Sequence, residues 1–125
     1  MRRTALTALT VLPLAAASAM ADGDPADGEK LFGRCKACHV VDKEQNRVGP
    51  HLVGIIGRPA GSVEGFKYSD AMKNSGKTWD EATLAAYLQD PKGYIPGNKM
   101  AFAGLKKEDE VEDVIAYLKQ ASSTQ

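Results

Sequence analysis

Two cysteines and a histidine form the most chemically distinctive group in this 125-residue chain. Cys35 and Cys38 are its only cysteines, and His39 follows them directly. Three kinds of chemistry use such a group: a redox dithiol, half of a zinc site, and covalent attachment of haem. A purely structural disulfide is disfavoured, because closing so short a loop adds little stability.

The surroundings of the pair favour haem attachment. A thioredoxin-like dithiol follows a strand in a βαβ unit, whereas this pair ends a predicted helix with no strand before it. Zinc needs four ligands, and Cys38 and His39 are awkward neighbours on one tetrahedral ion, with His51 as the remaining candidate. In C-x-x-C-H, each thiol adds to one porphyrin vinyl group, and the following histidine then reaches the iron.

The first 21 residues have the pattern of a cleaved secretory signal peptide. Two arginines precede an uncharged apolar stretch, and Ala19-Met20-Ala21 fits an A-x-A cleavage site. A membrane anchor is disfavoured, because the stretch is shorter than the ~20 residues that span a bilayer. The residues after the arginine pair do not support a twin-arginine signal. We therefore predict export to the periplasm.

Residues 22–125 are predicted to form one mature domain. Removal of the leader leaves 14 basic and 16 acidic residues, a net formal charge of −2. There is neither a basic excess nor a long charged run to indicate a nucleic-acid partner. Export also agrees with the cysteine motif, because haem of the c type is attached outside the cytoplasm.

Two helices are predicted around the motif and the loop that follows it. The first lies within residues 24–35, with Asp24 as its N-cap and Pro25 at its first position. A short helix is predicted within residues 68–77, where Ser69 would cap it and a glycine would end it.

Two further helices are predicted in the second half of the chain. Residues 78–91 have a T-x-x-E capping box, formed by Thr78 and Glu81, and Pro91 would end this helix. Residues 106–120 have an apolar stripe with acidic residues in the first turns, which suits the helix dipole. The stripe consists of Val111, Val114, Ile115 and Leu118.

The fold class predicted from these patterns is all-α. Alternation with a period of two nowhere extends over four residues, so strands are not expected. The irregular stretches 40–66 and 91–105 nevertheless contain apolar residues, which need a surface to pack on. A large, flat, apolar cofactor at the centre of the domain would supply that surface.

An iron bound by His39 has a sixth position, for which Met100 is the predicted ligand. The mature chain has two methionines, and Met100 lies in the Pro-Gly loop "YIPGNKMAFAG" rather than on a helical stripe. His51 competes, but it is too near His39 in the chain to reach the opposite face easily. An electron carrier fills this position, whereas an enzyme or a gas sensor leaves it open.

The chain resembles class I cytochrome c, most of all the bacterial cytochromes c2 and mitochondrial-type cytochrome c. The resemblance covers residues 23–120 without large gaps, and several motifs occur in the family's order. They are "GEKLFGRCKACH", "VGPHLVGIIGRPAG", "FKYSDAMKNSGKTWDEATLAAYLQDP", "YIPGNKMAFAGLKK" and "VIAYLKQ". It implies the small class I cytochrome c fold, with helices and loops wrapped around one covalently bound haem c.

The resemblance also implies the residues of the haem site. Cys35 and Cys38 would bind the haem covalently, and His39 and Met100 would be the axial ligands of the iron. The implied haem-pocket residues are Pro50, Arg58, Tyr68, Trp79, Tyr87 and Asn98. The Pro50 carbonyl would accept a hydrogen bond from the ring nitrogen of His39 that does not bind the iron. Arg58, Tyr68 and Trp79 would hold the haem propionates. Tyr87 and Asn98 would lie near the sulfur of Met100.

Two further implications concern packing. Gly28, Phe32 and Tyr117 would form the crossing of the first and last helices. Met72 stands where many relatives have an asparagine bonded to an internal water, so the polar network behind the haem is expected to differ.

The function implied is that of a soluble, monomeric, one-electron carrier in the periplasm, not an enzyme. Its partners would be membrane redox complexes: a bc1-type reductase, a terminal oxidase or a photosynthetic reaction centre. They would bind a basic rim around the haem edge, formed by Lys30, Arg34, Lys36, Arg47, Lys92, Lys99, Lys106 and Lys107. The alternative is a haem peroxidase or ligand-binding haem protein in which Met100 is labile.

Overall fold

The computed structural model describes residues 7–13 and 23–123. Its helices are α1 (Pro25–Phe32), α2 (Asp70–Lys73), α3 (Glu81–Gln89), α4 (Pro91–Tyr94) and α5 (Glu108–Ala121), and its strands are β1 (Arg58–Pro59) and β2 (Thr78–Trp79). The predicted signal peptide, residues 1–21, falls outside the described residues except for 7–13. In the parts of the chain described, no helix is long and apolar enough to cross a membrane.

The crossing of α1 and α5 is the most extensive contact between elements. Gly28 is buried there, and a Cβ on it would lie 2.9 Å from the Cβ of Tyr117. The ring of Phe32, which is 2% exposed, lies 5.2 Å from that of Tyr117 between centroids. The absence of a side chain on Gly28 thus lets the two helix backbones touch.

The start of α1 is anchored as the sequence predicts. The Asp24 side chain accepts a hydrogen bond from the backbone N–H of Ala26 at 2.8 Å, so the predicted N-cap is confirmed. The backbone N–H of Asp24 donates in turn to Oδ1 of Asp113 at 2.7 Å. This bond ties the beginning of α1 to α5.

The predicted start of α3 is wrong by two residues. The N-cap is Asp80, which accepts from the N–H of Thr83 at 2.8 Å, while Oγ1 of Thr83 accepts from the N–H of Asp80 at 2.9 Å. This D-x-x-T capping box replaces the predicted Thr78/Glu81 pair, because Thr78 belongs to β2. Pro91 ends α3 as predicted, but it also begins α4, which was not predicted.

The prediction that no strand forms is also wrong, although the fold is mostly helical. The two strands are antiparallel, with Arg58 opposite Trp79 and Pro59 opposite Thr78. Two residues are too few to produce an alternating pattern in the sequence. The ladder joins the long loop after the cysteine motif to the start of α3.

Candidate functional site

The C-x-x-C-H motif forms a tight turn at the end of α1. The N–H of His39 donates to the carbonyl of Cys35 at 2.9 Å, and that of Cys38 donates to the same oxygen at 3.1 Å. Both cysteines are unbridged and partly exposed. Burial raises the pKa of the Cys35 thiol, whereas redox and zinc-binding cysteines have lowered values. The turn thus holds both thiols and His39 on one short stretch of backbone at the end of α1.

The imidazole of His39 is held in one orientation. Its Nδ1 lies 2.7 Å from the carbonyl oxygen of Pro50, which can only accept, so Nδ1 carries the proton. Burial also lowers the pKa of His39 and favours the neutral ring. The lone pair of Nε2 is then available to a metal, which is the arrangement that the resemblance implies for Pro50.

Gly49 is a functional residue that the sequence analysis missed. A Cβ on it would lie 2.8 Å from Nδ1 and 2.9 Å from Nε2 of His39. Its N–H donates to the carbonyl of Cys38 at 2.9 Å, so the loop lies directly on the motif. A glycine next to Pro50 was the available signal, because close approach of a backbone requires a missing side chain.

The loop of Met100 is held by two polar side chains. Oδ1 of Asn98 accepts from the N–H of Met100 at 2.9 Å, and Nδ2 donates to the carbonyls of Pro91 at 2.7 Å and Ile95 at 2.8 Å. The Tyr87 hydroxyl lies 3.8 Å from the sulfur of Met100 and donates to it. Burial raises the pKa of Tyr87 to about 12, so the phenol stays protonated at neutral pH.

Arg58 and Trp79 are paired in the ladder, and Tyr68 lies near Arg58. Nη1 of Arg58 donates to the carbonyls of His51 at 2.9 Å and Val53 at 3.1 Å. The Tyr68 hydroxyl accepts from the N–H of Val63 at 3.0 Å, and its proximity acts to raise the pKa of Arg58, against the larger lowering by burial. Trp79 is 5% exposed, and its ring packs on that of Tyr87 at 4.9 Å.

One atom tests whether these residues fit a haem. Nε of Arg58 is the single buried side-chain nitrogen or oxygen in the described ranges without a hydrogen-bond partner. A buried donor without an acceptor is costly and rare in proteins. Burial also lowers the pKa of Arg58, which an anion nearby would oppose. A haem propionate would supply both the acceptor and the negative charge, so the residues fit.

The rival ligand and the unusual methionine occupy other environments. Nδ1 of His51 accepts from the N–H of Val53 at 3.2 Å, which holds the ring in its own loop. Met72 is half-buried against the core, and its N–H donates to Oγ of Ser69 at 3.1 Å. The thioether of Met72 cannot donate the hydrogen bond of the asparagine that the resemblance leads one to expect.

All eight predicted rim cations are exposed, but they are not equivalent. Lys30 forms an ion pair with Asp27 at 3.3 Å, and the guanidinium of Arg34 lies 5.3 Å from the ring centroid of Phe102. Lys106 donates to the backbone carbonyl of Gln89, at the end of α3, and to that of Ala103. The acidic side chains in the first turn of α5 are Glu108, Asp109 and Glu110.

Comparison with known proteins identifies relatives over nearly the whole described domain. The family model for cytochrome c matches residues 25–122. Cytochrome c2 iso-2 of Magnetospirillum fulvum is 61% identical over 94 residues, which cover 75% of this chain and 98% of that protein. Cytochrome c2 of Blastochloris viridis is 51% identical over 113 residues, 90% of this chain and 88% of that one. The structure of cytochrome cH from Methylobacterium extorquens superimposes with a TM-score of 0.74 at 52% identity, covering 78% of this chain and 98% of that one.

Proposed function

This chain belongs to the cytochrome c family, and from this premise we propose that it is a periplasmic one-electron carrier in which His39 and Met100 would bind the haem iron. Membership means one covalently bound haem c and a role in electron transfer rather than catalysis. The observation that carries the ligand proposal is the fixed position of Met100, whose backbone is bound by Asn98 and whose sulfur is contacted by Tyr87.

Each residue of the site has a role in this proposal. The bound haem supplies an iron that accepts and releases one electron. Cys35 and Cys38 would hold the group through thioethers, and the Pro50 carbonyl keeps the ring of His39 oriented. Because the contacts of Asn98 and Tyr87 with Met100 do not involve the metal, they would limit rearrangement of the loop when the iron changes oxidation state. A thioether ligand also favours the ferrous state and raises the potential.

The propionates are assigned to the ladder side of the pocket. Arg58 would donate through its unpartnered Nε, and Tyr68 has a hydroxyl proton left to donate because its oxygen accepts from Val63. Trp79 lies opposite Arg58 in the ladder. These donors would stabilise negative charge that is otherwise buried at high cost.

The partners proposed are membrane redox complexes of the bc1, terminal-oxidase or reaction-centre type. The rim cations are exposed, while acidic residues cluster at the start of α5. A basic rim set apart from this acidic cluster would orient the protein toward acidic partner surfaces and speed encounter without tight binding. The signal-peptide pattern of residues 1–21 supports the periplasmic location. We propose a monomer, which suits a carrier that diffuses between its partners.

Visible spectroscopy of the ferric holoprotein tests the ligand assignment. Met100→Ala is expected to abolish the methionine–iron band near the red end of the spectrum and to give high-spin haem. Met72→Ala is the matched control, and it should keep the band. Loss of the band in Met72→Ala or His51→Ala but not in Met100→Ala would overturn the assignment. A high-spin wild-type spectrum would favour the ligand-binding or peroxidase alternative.

A further inference from the structure

We propose that Lys77 and Lys106, two lysines outside the haem pocket, close the two ends of the Met100 segment, residues 95–105, and thereby limit how often Met100 leaves its position. Neither lysine contacts Met100, so both are positioning residues. Their effect on the iron rests on the ligation proposed above. Their effect on the segment rests on contacts that do not depend on it.

Lys106 closes the downstream end against α3. Its Nζ donates to the carbonyl of Gln89 at 3.1 Å and to that of Ala103 at 2.9 Å. Gln89 is the last residue of α3, and the last turn of that helix has no basic residue of its own. The final carbonyls of a helix lack internal partners and attract cations. Lys106 therefore supplies the missing cation and joins Ala103 to the helix end.

The backbone beside Lys106 makes the same connection. The N–H of Leu105 donates to the carbonyl of Leu88 at 2.7 Å. Gly104 has a φ of +109°, and a Cβ on it would lie 2.8 Å from the carbonyl carbon of Gln89. The segment thus ends flat against the C-terminus of α3, where Lys106 completes the contact.

Lys77 closes the upstream end. Its Nζ lies 4.2 Å from the centroid of the Tyr94 ring, and Tyr94 is the last residue of α4, directly before the segment. The backbone of Lys77 is itself fixed, because its carbonyl accepts from the N–H of Ala60 at 2.8 Å. A cation over an aromatic face is attracted by the ring quadrupole. Lys77 therefore ties the end of α4 to the region of the ladder.

These end contacts matter because the bonds made by Asn98 are local. Asn98 binds Pro91, Ile95 and Met100, which lie within the segment or beside it. Such bonds keep the shape of the loop, but they move with it when it swings away. Contacts to α3 and to the ladder are what resist the swing. Lys106 thus acts within the fold, apart from any role in docking.

The experiment uses four holoprotein variants in matched pairs. Lys106→Met is compared with Lys107→Met, and Lys77→Met with Lys73→Met. The two control side chains are exposed, and within residues 23–123 they form no ion pair or ring contact. Both variants of a pair remove one positive charge, and the two positions are close in the sequence. A difference in the readouts between the two variants therefore reports the loss of the contact and not the loss of the charge.

Two readouts are measured on each variant. Native-state hydrogen exchange follows the amide of Leu105, whose bond to the carbonyl of Leu88 at 2.7 Å joins the segment to α3. Lys106→Met should speed exchange at Leu105 about threefold to tenfold. Lys77→Met should speed exchange at the same amide about twofold to fivefold, because the segment leaves α3 more often when its upstream contact is lost. At fixed pH, the fraction of ferric protein without the methionine–iron band should rise by similar factors.

Arginine at either position should restore both readouts, because guanidinium binds carbonyls and stacks on rings. Exchange and band fractions no different from those of the paired controls would overturn the proposal. If exchange is faster but Met100→Ala leaves the wild-type band intact, the positioning role stands and the proposed ligation fails.

Discussion

Replacing Gly28 with alanine is expected to destabilise the protein at the crossing of α1 and α5. The new Cβ would lie 2.5 Å from the carbonyl carbon of Asp113 and 2.9 Å from the Cβ of Tyr117. Carbon atoms that are not bonded approach to about 3.5–4.0 Å. Both neighbours belong to α5 at or next to its backbone, so no side-chain rotation relieves the contact. The helices must separate by about 1 Å.

The magnitude follows from that separation. A gap of this size forfeits about a quarter to a half of each van der Waals contact across the crossing, including those of Phe32, and strain of this kind costs about 1–3 kcal/mol. Together they give about 3 kcal/mol, from which the better helix propensity of alanine subtracts about 1 kcal/mol. A net loss of about 2 kcal/mol lowers the melting temperature of a domain this size by roughly 8–16 °C.

The assay is guanidinium unfolding of the ferric holoprotein, followed by fluorescence of Trp79, the only tryptophan. The matched control is Gly33→Ala at the end of the same helix. Gly33 has a φ of −50°, and the nearest atom to a Cβ there is the carbonyl oxygen of Lys30 at 3.0 Å. That variant should stay within about 1 kcal/mol of wild type. If Gly28→Ala is as stable as Gly33→Ala, the close crossing is not required.

Three other predictions concern the haem site. The free energy of unfolding should fall between pH 10 and 12, because the unfolded chain lets Tyr87 ionise at its ordinary pKa, whereas burial raises the pKa of the folded phenol to about 12. Tyr87→Phe should lessen that fall by about 2–3 kcal/mol in unfolding titrations. An unchanged dependence of the unfolding free energy on pH would refute this reasoning. Arg58→Leu should lower the midpoint potential in a redox titration, since removing a cation favours ferric haem, and a raised potential would contradict the propionate role. Reduction by an acidic membrane partner should slow steeply as salt rises, because rim charges act over about 8–10 Å; a rate independent of salt would exclude the basic rim.

The elements predicted correctly are those whose signal is local. Asp24 followed by Pro25 marks the start of α1, and the stripe of α5 repeats with the helical period over several turns. The D-x-x-T cap of α3 was missed in favour of T-x-x-E at the same spacing, because both patterns occur side by side at 78–83. The pairing of β1 and β2, which places Thr78 in a strand, decides which of the two patterns caps the helix.

The sequence by itself determined the chemistry of the site: C-x-x-C-H is contiguous, so its spacing alone indicates haem attachment, and the motif order indicates the family. Only the tertiary structure decided how the two proposed ligands are held. The contact of Gly49 with His39 and the bond of Lys106 to the end of α3 join residues about ten or more positions apart. A one-dimensional pattern records neighbours along the chain, whereas buried donors and acceptors are paired by whatever the fold brings next to them.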